Sequence, residues 1–88
     1  MSYFQVFLSR FSYVPIEFEH NKTLLPLIGD NIRKLRMEKR MSQSQLAFEV
    51  GTTLRQIQRI EMGKMNAGIL YYIKIAEVLE VNLVQLIV

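Results

Sequence analysis

Two arginines and two glutamines stand close together in the middle of the chain, and their side chains can donate paired hydrogen bonds. They are Arg55, Gln56, Gln58 and Arg59. An arginine donates two parallel hydrogen bonds to the major-groove edge of guanine, and a glutamine makes a two-point contact with adenine. A short helix with these four side chains on its outer face would have the chemistry needed to read base pairs in the major groove.

Capping signals on both sides of these residues predict two short helices joined by a tight turn. Ser42, with a glutamine three positions later, has the spacing of a capping box, so we expect a helix over residues 43–50. Gly51 can adopt the left-handed conformation that ends a helix. Thr53 can cap a second helix over residues 54–62, which carries the arginines and glutamines.

Apolar residues at helical spacing predict three further helices around this pair. Ile28, Ile32 and Leu35 recur in this way, and we expect their helix to begin at residue 27. A fourth helix is expected over residues 69–79, and the last residues suit a short fifth one. The expected apolar face of the fourth helix comprises Ile69, Tyr72, Ile73, Ala76 and Leu79.

Residues 28–87 resemble the helix-turn-helix domain of the lambdoid phage repressor, Cro and Xre family in three motifs that stand in register. Residues 42–47 match the second helix of the family, residues 51–53 match its turn, and residues 57–64 match the rest of the recognition helix. The resemblance implies an all-α, five-helix, lambda-repressor-like domain. It also implies a transcriptional regulator, usually a repressor, that binds a pseudo-palindromic DNA operator as a homodimer.

The resemblance further implies which residues contact DNA. Gln43, Lys64 and Asn66 match contacts to the phosphate backbone. The side chains that would face base edges are Leu54, Arg55, Gln56 and Gln58. Arg59 could reach either a base or a phosphate. The predicted DNA contacts are Gln43, Ser44, Thr53, Leu54, Arg55, Gln56, Gln58, Arg59, Lys64 and Asn66.

Five of the eleven basic residues fall between Arg33 and Arg40. Such a run is either a solvated helix face or a track for phosphates, and the sequence leaves both readings open. Arg36 has a different predicted role, because with Glu61 it matches an ion pair that joins the first and third helices in the family. We therefore assign Arg36 and Glu61 to the structure and not to base reading.

The chain departs from the family pattern at several positions. Leu54 stands where the family usually has a polar residue, so it would either touch a thymine methyl group or fold inward. Ala67 replaces a common proline, and Glu80 replaces the usual glycine between the fourth and fifth helices. Leu70 and Tyr71 make the fourth helix more apolar than the pattern requires.

Residues 1–26 are predicted to be an N-terminal extension to a domain of residues 27–88. The extension holds six of the nine aromatic residues, and its alternation at residues 4–8 and 16–18 predicts one or two short strands, with a connector at residues 21–26. The arm would either cap the core of its own domain or pair with a second copy of the chain, and of these two we favour dimerisation, because an aromatic edge strand readily pairs. A toxin-binding arm, as in antitoxins that share this domain, would look the same in sequence, so that alternative stays open.

The composition of the chain argues against several other classes of function. There is no cysteine, and His20 is the only histidine, so the sequence predicts no disulfide, metal site or cofactor. It has no nucleophile–base pair and no glycine-rich phosphate loop, so we do not predict an enzyme. No apolar run is long enough to cross a membrane, and we expect a cytoplasmic protein. The net charge of +3 suits a polyanionic partner.

Overall fold

The computed structural model describes the backbone of residues 16–88 and the side chains of residues 23–88, and within this range it is all-α. No strand occurs between residues 16 and 88. The strand predicted at residues 4–8 lies outside the described residues. The five-helix fold predicted from the sequence is confirmed. Its helices are α1 (Ile16–Glu38), α2 (Gln43–Val50), α3 (Leu54–Glu61), α4 (Ile69–Leu79) and α5 (Val84–Ile87).

Helix α1 begins eleven residues earlier than the sequence predicted, at Ile16 instead of residue 27. The strand predicted at residues 16–18 and the connector predicted at residues 21–26 are therefore wrong. A three-residue alternation is too short to distinguish a strand from a helix. Pro26 lies inside α1, where it removes a single backbone hydrogen bond, and one such loss does not end a long helix that packs elsewhere along its length. The boundary predicted at residue 26 falls within this helix.

The core forms where the five helices meet. Helix α1 packs against α3 and α5, and α2 packs against α3 and α4. The amide of Asn31 on α1 donates a 2.9 Å hydrogen bond to the carbonyl of Leu86, which fixes the short helix α5. The buried apolar residues are Ile28, Ile32, Leu46, Ala47, Ile57, Ile60, Tyr72, Ile75, Ala76, Leu79 and Leu86.

The buried face of α4 differs from the predicted one. Ile69 and Ile73 were expected in the core, but they are 58% and 39% exposed, whereas Ile75 is fully buried. Because α4 is apolar on most of its circumference, the sequence pattern fits more than one rotation of the helix about its axis. The rotation in the structure buries residues 72, 75, 76 and 79 and leaves apolar side chains in solvent.

Gly29 allows α1 to lie directly against the end of α3. A Cβ atom at this position would lie 2.6 Å from the carbonyl oxygen of Glu61 and nearer still to that of Ile60. Any side chain here would force the two helices apart. The position of α3 is therefore set by contact with the backbone of α1.

The predicted caps around α2 and α3 are confirmed. Ser42 and Gln45 form a capping box, in which the Ser42 hydroxyl accepts from the Gln45 backbone N–H and the Gln45 side chain accepts from the Ser42 N–H. Gly51 ends α2 with a left-handed φ of 89°. The Thr53 hydroxyl accepts a 3.1 Å hydrogen bond from the Gln56 N–H and starts α3.

No helix within residues 16–88 is long and apolar enough to cross a membrane.

Candidate nucleic-acid interface

Helix α3 has one buried side and one solvent-exposed side. Ile57, Ile60 and Glu61 are buried against the rest of the domain. The opposite side presents polar and charged groups to solvent, together with one leucine, so it is the side available to a ligand. Its exposed members are Leu54, Arg55, Gln58 and Arg59, and Gln56 at its margin is half-buried.

The donors on this exposed side are not used within the domain. Among residues 23–88, no side chain accepts a hydrogen bond from Arg55, Gln58 or Arg59, and none of these groups joins an ion pair. Their guanidinium and amide groups therefore remain free for the edges of bases or for phosphate oxygens. The structure thus places the reading residues that the sequence predicted together on one accessible face.

Behind that face, a buried carboxylate joins the first three helices. The Arg36 Nε donates to Glu61 Oε2 over 2.7 Å, and the Arg36 Nη2 donates to Glu61 Oε1 over 3.0 Å. The Arg36 Nη1 also donates to the carbonyl of Met41, at 2.8 Å. The Arg36 and Glu61 side chains are 11% and 3% exposed. This pair orients α3 against α1, as the resemblance implied, and is not accessible to DNA.

Gln43 takes part in this cluster, which the sequence did not predict. Its Nε2 donates to Glu61 Oε1 over 3.0 Å. A side-chain amide has two N–H groups, so one remains for the predicted phosphate contact. Ser44 beside it is exposed. At the start of α2, the backbone N–H groups of both residues lie in the first turn, where a helix offers donors to an anion.

Two adjacent tyrosines on α4 hold the segments on either side of α3, and the sequence did not predict this role either. The Tyr71 hydroxyl donates to Thr52 Oγ1 over 2.9 Å, in the turn before α3. The Tyr72 hydroxyl accepts from the Ala67 N–H over 3.2 Å, in the loop after it. The two adjacent hydroxyl groups in a mainly apolar helix were the only sign of this role in the sequence. The position of α4 therefore influences both ends of α3.

The loop after α3 combines a free cation with a fixed turn. Lys64 is exposed, and no carboxylate among residues 23–88 pairs with it. The Asn66 side-chain oxygen accepts from the Gly68 N–H over 3.1 Å. Asn66 therefore shapes the loop with its oxygen and retains its amide donors for the predicted contact with the phosphate backbone.

No group of three acidic or histidine side chains within residues 23–88 is arranged to hold a metal ion.

The basic run at residues 33–40 is largely paired, and within residues 23–88 only its last member, Arg40, joins no ion pair. Asp30 lies 2.7 Å from an Arg33 nitrogen and 3.1 Å from Lys34 Nζ. Hydrogen bonds from Arg33 and then from Lys34 hold the pKa of the Asp30 carboxyl below its ordinary value. The Lys39 Nζ lies 2.9 Å from Glu80 and lowers the pKa of that carboxyl in the same way.

A match to a protein-family model agrees with this geometry. The model of the helix-turn-helix family matches residues 32–86, which include the turn at Gly51 and the whole of α3. The chain belongs to the helix-turn-helix family. It has the Xre and lambda-repressor-like form that the sequence motifs predicted. No protein of curated function matches the chain.

Solved structures of similar proteins extend the helix-turn-helix assignment to most of the chain. The restriction-modification controller protein C.AhdI from Aeromonas hydrophila is 31% identical, with a TM-score of 0.69 over 70% of this chain and 94% of that one. A hypothetical transcription factor, NHTF, from Neisseria is 26% identical, with a TM-score of 0.73 over 77% of this chain and 78% of that one. As a member of this family, the protein is a DNA-binding transcriptional regulator.

Proposed function

We propose that the protein is a repressor that binds a pseudo-palindromic operator as a homodimer, with helix α3 of each copy in the major groove. The observation that carries this proposal is the exposed side of α3, where Arg55, Gln58 and Arg59 have no acceptor among residues 23–88. The two half-sites would then be centred about 34 Å apart, one turn of the duplex.

The proposed contacts divide into positioning and reading. Lys64, the start of α2 at Gln43 and Ser44, and the amide of Asn66 would hold the phosphate backbone. Arg55 would donate its paired hydrogen bonds to a guanine, and Gln56 or Gln58 would contact an adenine. The Thr53 hydroxyl already caps α3 through its oxygen, so it would donate only its own proton to a neighbouring phosphate.

Exposed apolar residues near the C-terminal end supply the proposed dimer surface. On α4, Leu70 is 78% exposed, and on α5, Val84 is 58% exposed. Isolated apolar side chains are common on protein surfaces, whereas a contiguous apolar patch is typical of a protein interface. We propose that the exposed apolar side chains of α4 and α5 are buried together when two copies of the chain associate. The proposed surface comprises Ile69, Leu70, Ile73, Val84, Ile87 and Val88.

The DNA-binding proposal is tested by fluorescence anisotropy with the duplex upstream of the protein's own gene and with a scrambled duplex, over a series of salt concentrations. We expect tighter, sigmoidal binding to the upstream duplex and an affinity that falls steeply with salt. Binding to neither duplex at low salt would contradict the proposal. Equal binding to both would place the operator elsewhere.

Two lysine variants test the proposed phosphate contact of Lys64 in the same anisotropy assay. Lys64→Ala should weaken binding to every duplex alike and reduce the slope of log affinity against log salt by about one. Lys74→Ala is the matched control, because Lys74 is an exposed lysine on α4 and is not one of the proposed DNA contacts. Equal effects of the two variants would contradict the role of Lys64.

The dimer is tested by sedimentation equilibrium of the full chain. Leu70→Glu should shift the protein toward the monomer, because a charge on each copy would be buried in the proposed surface. The control is Leu24→Glu, since Leu24 is an exposed leucine on α1. A monomeric wild-type protein at the concentrations that bind DNA would contradict the proposed assembly.

A further inference from the structure

Leu54 is an apolar residue on the exposed side of α3. It is the first residue of the helix and is 41% exposed, so its side chain does not fold into the core. Its neighbours on that side are the polar and charged groups that we propose read DNA. The leucine therefore lies where a hydrogen-bonding residue would be expected.

The cap of α3 fixes the position from which this side chain projects. The Thr53 hydroxyl accepts the Gln56 N–H at 3.1 Å, and the preceding Thr52 is held by the Tyr71 hydroxyl. The first turn of α3 is thus anchored on both sides of the leucine. An anchored side chain loses less conformational freedom on binding than one on a mobile loop.

The edges of bases in the major groove offer a leucine one apolar group. Guanine, adenine and cytosine present hydrogen-bond donors and acceptors there and no methyl group, whereas thymine also presents the methyl group on C5. A leucine placed against a donor or acceptor would remove water from it without replacing the hydrogen bond, which is unfavourable. Against a methyl group, both surfaces leave water, which is favourable.

We propose that Leu54 is a specificity-determining residue that recognises the C5 methyl group of a pyrimidine in each half-site. This inference rests on the proposed function, because it requires α3 to lie in the major groove. The same methyl group at the same ring carbon occurs in thymine and in 5-methylcytosine. Binding therefore also responds to methylation of a cytosine at that position.

The expected size of the effect follows from the area of one methyl group. Burial of one such group corresponds to about a fourfold change in affinity per half-site. A dimer that contacts two half-sites responds to both, so a duplex that lacks both methyl groups binds roughly sixteenfold more weakly if the half-sites contribute independently. Both ratios lie within the range of an anisotropy titration.

In the first step of the test, the full chain is used to select tight-binding duplexes from a pool of randomised sequence. Each thymine of a selected duplex is then replaced in turn by uracil, which pairs in the same way and lacks only the methyl group. We expect one position in each half-site at which uracil weakens wild-type binding by about fourfold, and no effect at positions that the protein does not contact.

Two leucine variants assign that effect to a side chain. Leu54→Ala should bind the thymine and uracil duplexes equally. Leu27→Ala should keep the wild-type ratio, because Leu27 is exposed to the same extent, 40%, and lies on α1. Thermal melting of both variants should match the wild type, since neither substitution opens the core.

A third set of duplexes distinguishes the two sources of the methyl group. Cytosine and 5-methylcytosine are placed at the same position, each opposite guanine. Tighter binding to the methylated duplex by the wild type, and not by Leu54→Ala, would support recognition of the methyl group in both bases. An effect of uracil alone would support the proposal for thymine and overturn it for 5-methylcytosine.

Failure of this inference and failure of the proposed function give different results. If the pool yields tight duplexes but uracil has no effect, or has the same effect with Leu54→Ala, the role of Leu54 is overturned and DNA binding stands. If no duplex is enriched, the proposed function itself is contradicted, and the inference falls with it.

Discussion

The basic run of α1 and the basic residues of α3 and its following loop differ in what surrounds their charges. On α1, Arg33 and Lys34 share Asp30, and Lys39, in the turn that follows α1, pairs with Glu80. On α3 and the loop, Arg55, Arg59 and Lys64 have no carboxylate partner among residues 23–88. The sequence concentrates its positive charge at residues 33–40, where four of the five cations are paired, whereas the three cations of α3 and its loop all lack a carboxylate partner within residues 23–88.

This difference in pairing shows that the density of charge along a sequence does not by itself locate a nucleic-acid interface. A cation that already lies beside a carboxylate contributes less to the attraction of phosphate than a free one, because its field is partly cancelled. One of the partners, Asp30, stands three and four residues from its cations and is visible in the sequence. The other, Glu80, is 41 residues away from Lys39 and is brought to it only by the fold.

Removal of the buried member of the α1 run should have the largest effect on stability. Arg36→Ala would leave the Glu61 carboxylate, 3% exposed, without its main partner, and we expect a loss of about 3–5 kcal/mol in the free energy of unfolding. For a domain of this size, that loss lowers the melting temperature by at least about 12 °C. Thermal unfolding followed by circular dichroism measures it.

The matched control is Arg33→Ala, on the same helix but on its exposed side. Its ion pair with Asp30 is 44% and 43% exposed, and such pairs contribute little to stability. A second comparison is the double variant Arg36→Met, Glu61→Leu, which should recover much of the loss because no buried charge remains. Similar melting temperatures for the two single alanine variants would show that burial does not distinguish the two arginines.

The sequence predicted the elements near the turn better than it predicted the start of α1 and the buried face of α4. The caps at Ser42, Gly51 and Thr53 are local chemistry, because each involves residues within four positions of one another. The start of α1 and the rotation of α4 depend on which surfaces the rest of the fold covers. No local pattern contains that information, so the helix start at residue 27 and the burial of Ile69 were predicted wrongly.

The same distinction between local and long-range information applies to the residues of the candidate site. The exposed arginines and glutamines of α3 could be predicted, because helical spacing places them opposite Ile57 and Ile60. The hydrogen bond from Gln43 to Glu61 could not, since it joins residues 18 positions apart. The contact from Tyr71 to Thr52 spans 19 positions and is equally invisible in the local sequence. Long-range polar contacts of this kind follow only from the packed helices.

Substitution of an unpaired cation on α3 should change DNA binding and leave the free energy of unfolding unaltered. Arg55→Ala should cost about 1–3 kcal/mol of binding free energy and relax the preference at one base position, because a paired hydrogen bond to the base is lost. Its melting temperature should match the wild type, since Arg55 makes no hydrogen bond within residues 23–88. Anisotropy with the preferred duplex and a scrambled duplex measures both affinity and preference.

On the α1 side, Arg33→Ala should leave the ratio between the two duplexes unchanged. If Arg33→Ala relaxed the base preference as much as Arg55→Ala, the paired run of α1 would contact bases and the distinction between the two surfaces would fail. If Arg55→Ala kept the wild-type ratio, the reading role proposed for Arg55 would be wrong.

A smaller effect is expected at the partner of Lys39. Glu80 ends α4 with a positive φ of 62°, a left-handed conformation that costs less for glycine than for a residue with a Cβ atom. Glu80→Gly should therefore raise the melting temperature by a few degrees, even though it removes an exposed ion pair. Glu80→Gln is the control, because it removes the charge and keeps the side chain. A lower melting temperature for the glycine variant would show that the pair with Lys39 outweighs the backbone strain.

The smallest expected effect is the pH dependence that Asp30 contributes. Hydrogen bonds from Arg33 and Lys34 lower the pKa of its carboxyl below the ordinary value of 3.8. A group whose pKa is lower in the folded state stabilises the fold above its unfolded pKa, and that contribution disappears as the pH falls through the folded pKa. Urea unfolding of the wild type should therefore show a stability that decreases as the pH is lowered below about 4.

Asp30→Asn should make this decrease less steep, because asparagine does not titrate. Glu49→Gln is the matched control, since Glu49 is an exposed carboxylate that pairs with no cation within residues 23–88. The expected difference is small, because Asp30 is well exposed to water, which screens its charge. Equal acid slopes for Asp30→Asn and the wild type would mean that the α1 cations are not held by Asp30 in solution. They would then be free to bind phosphate, and the contrast between the two basic surfaces would disappear.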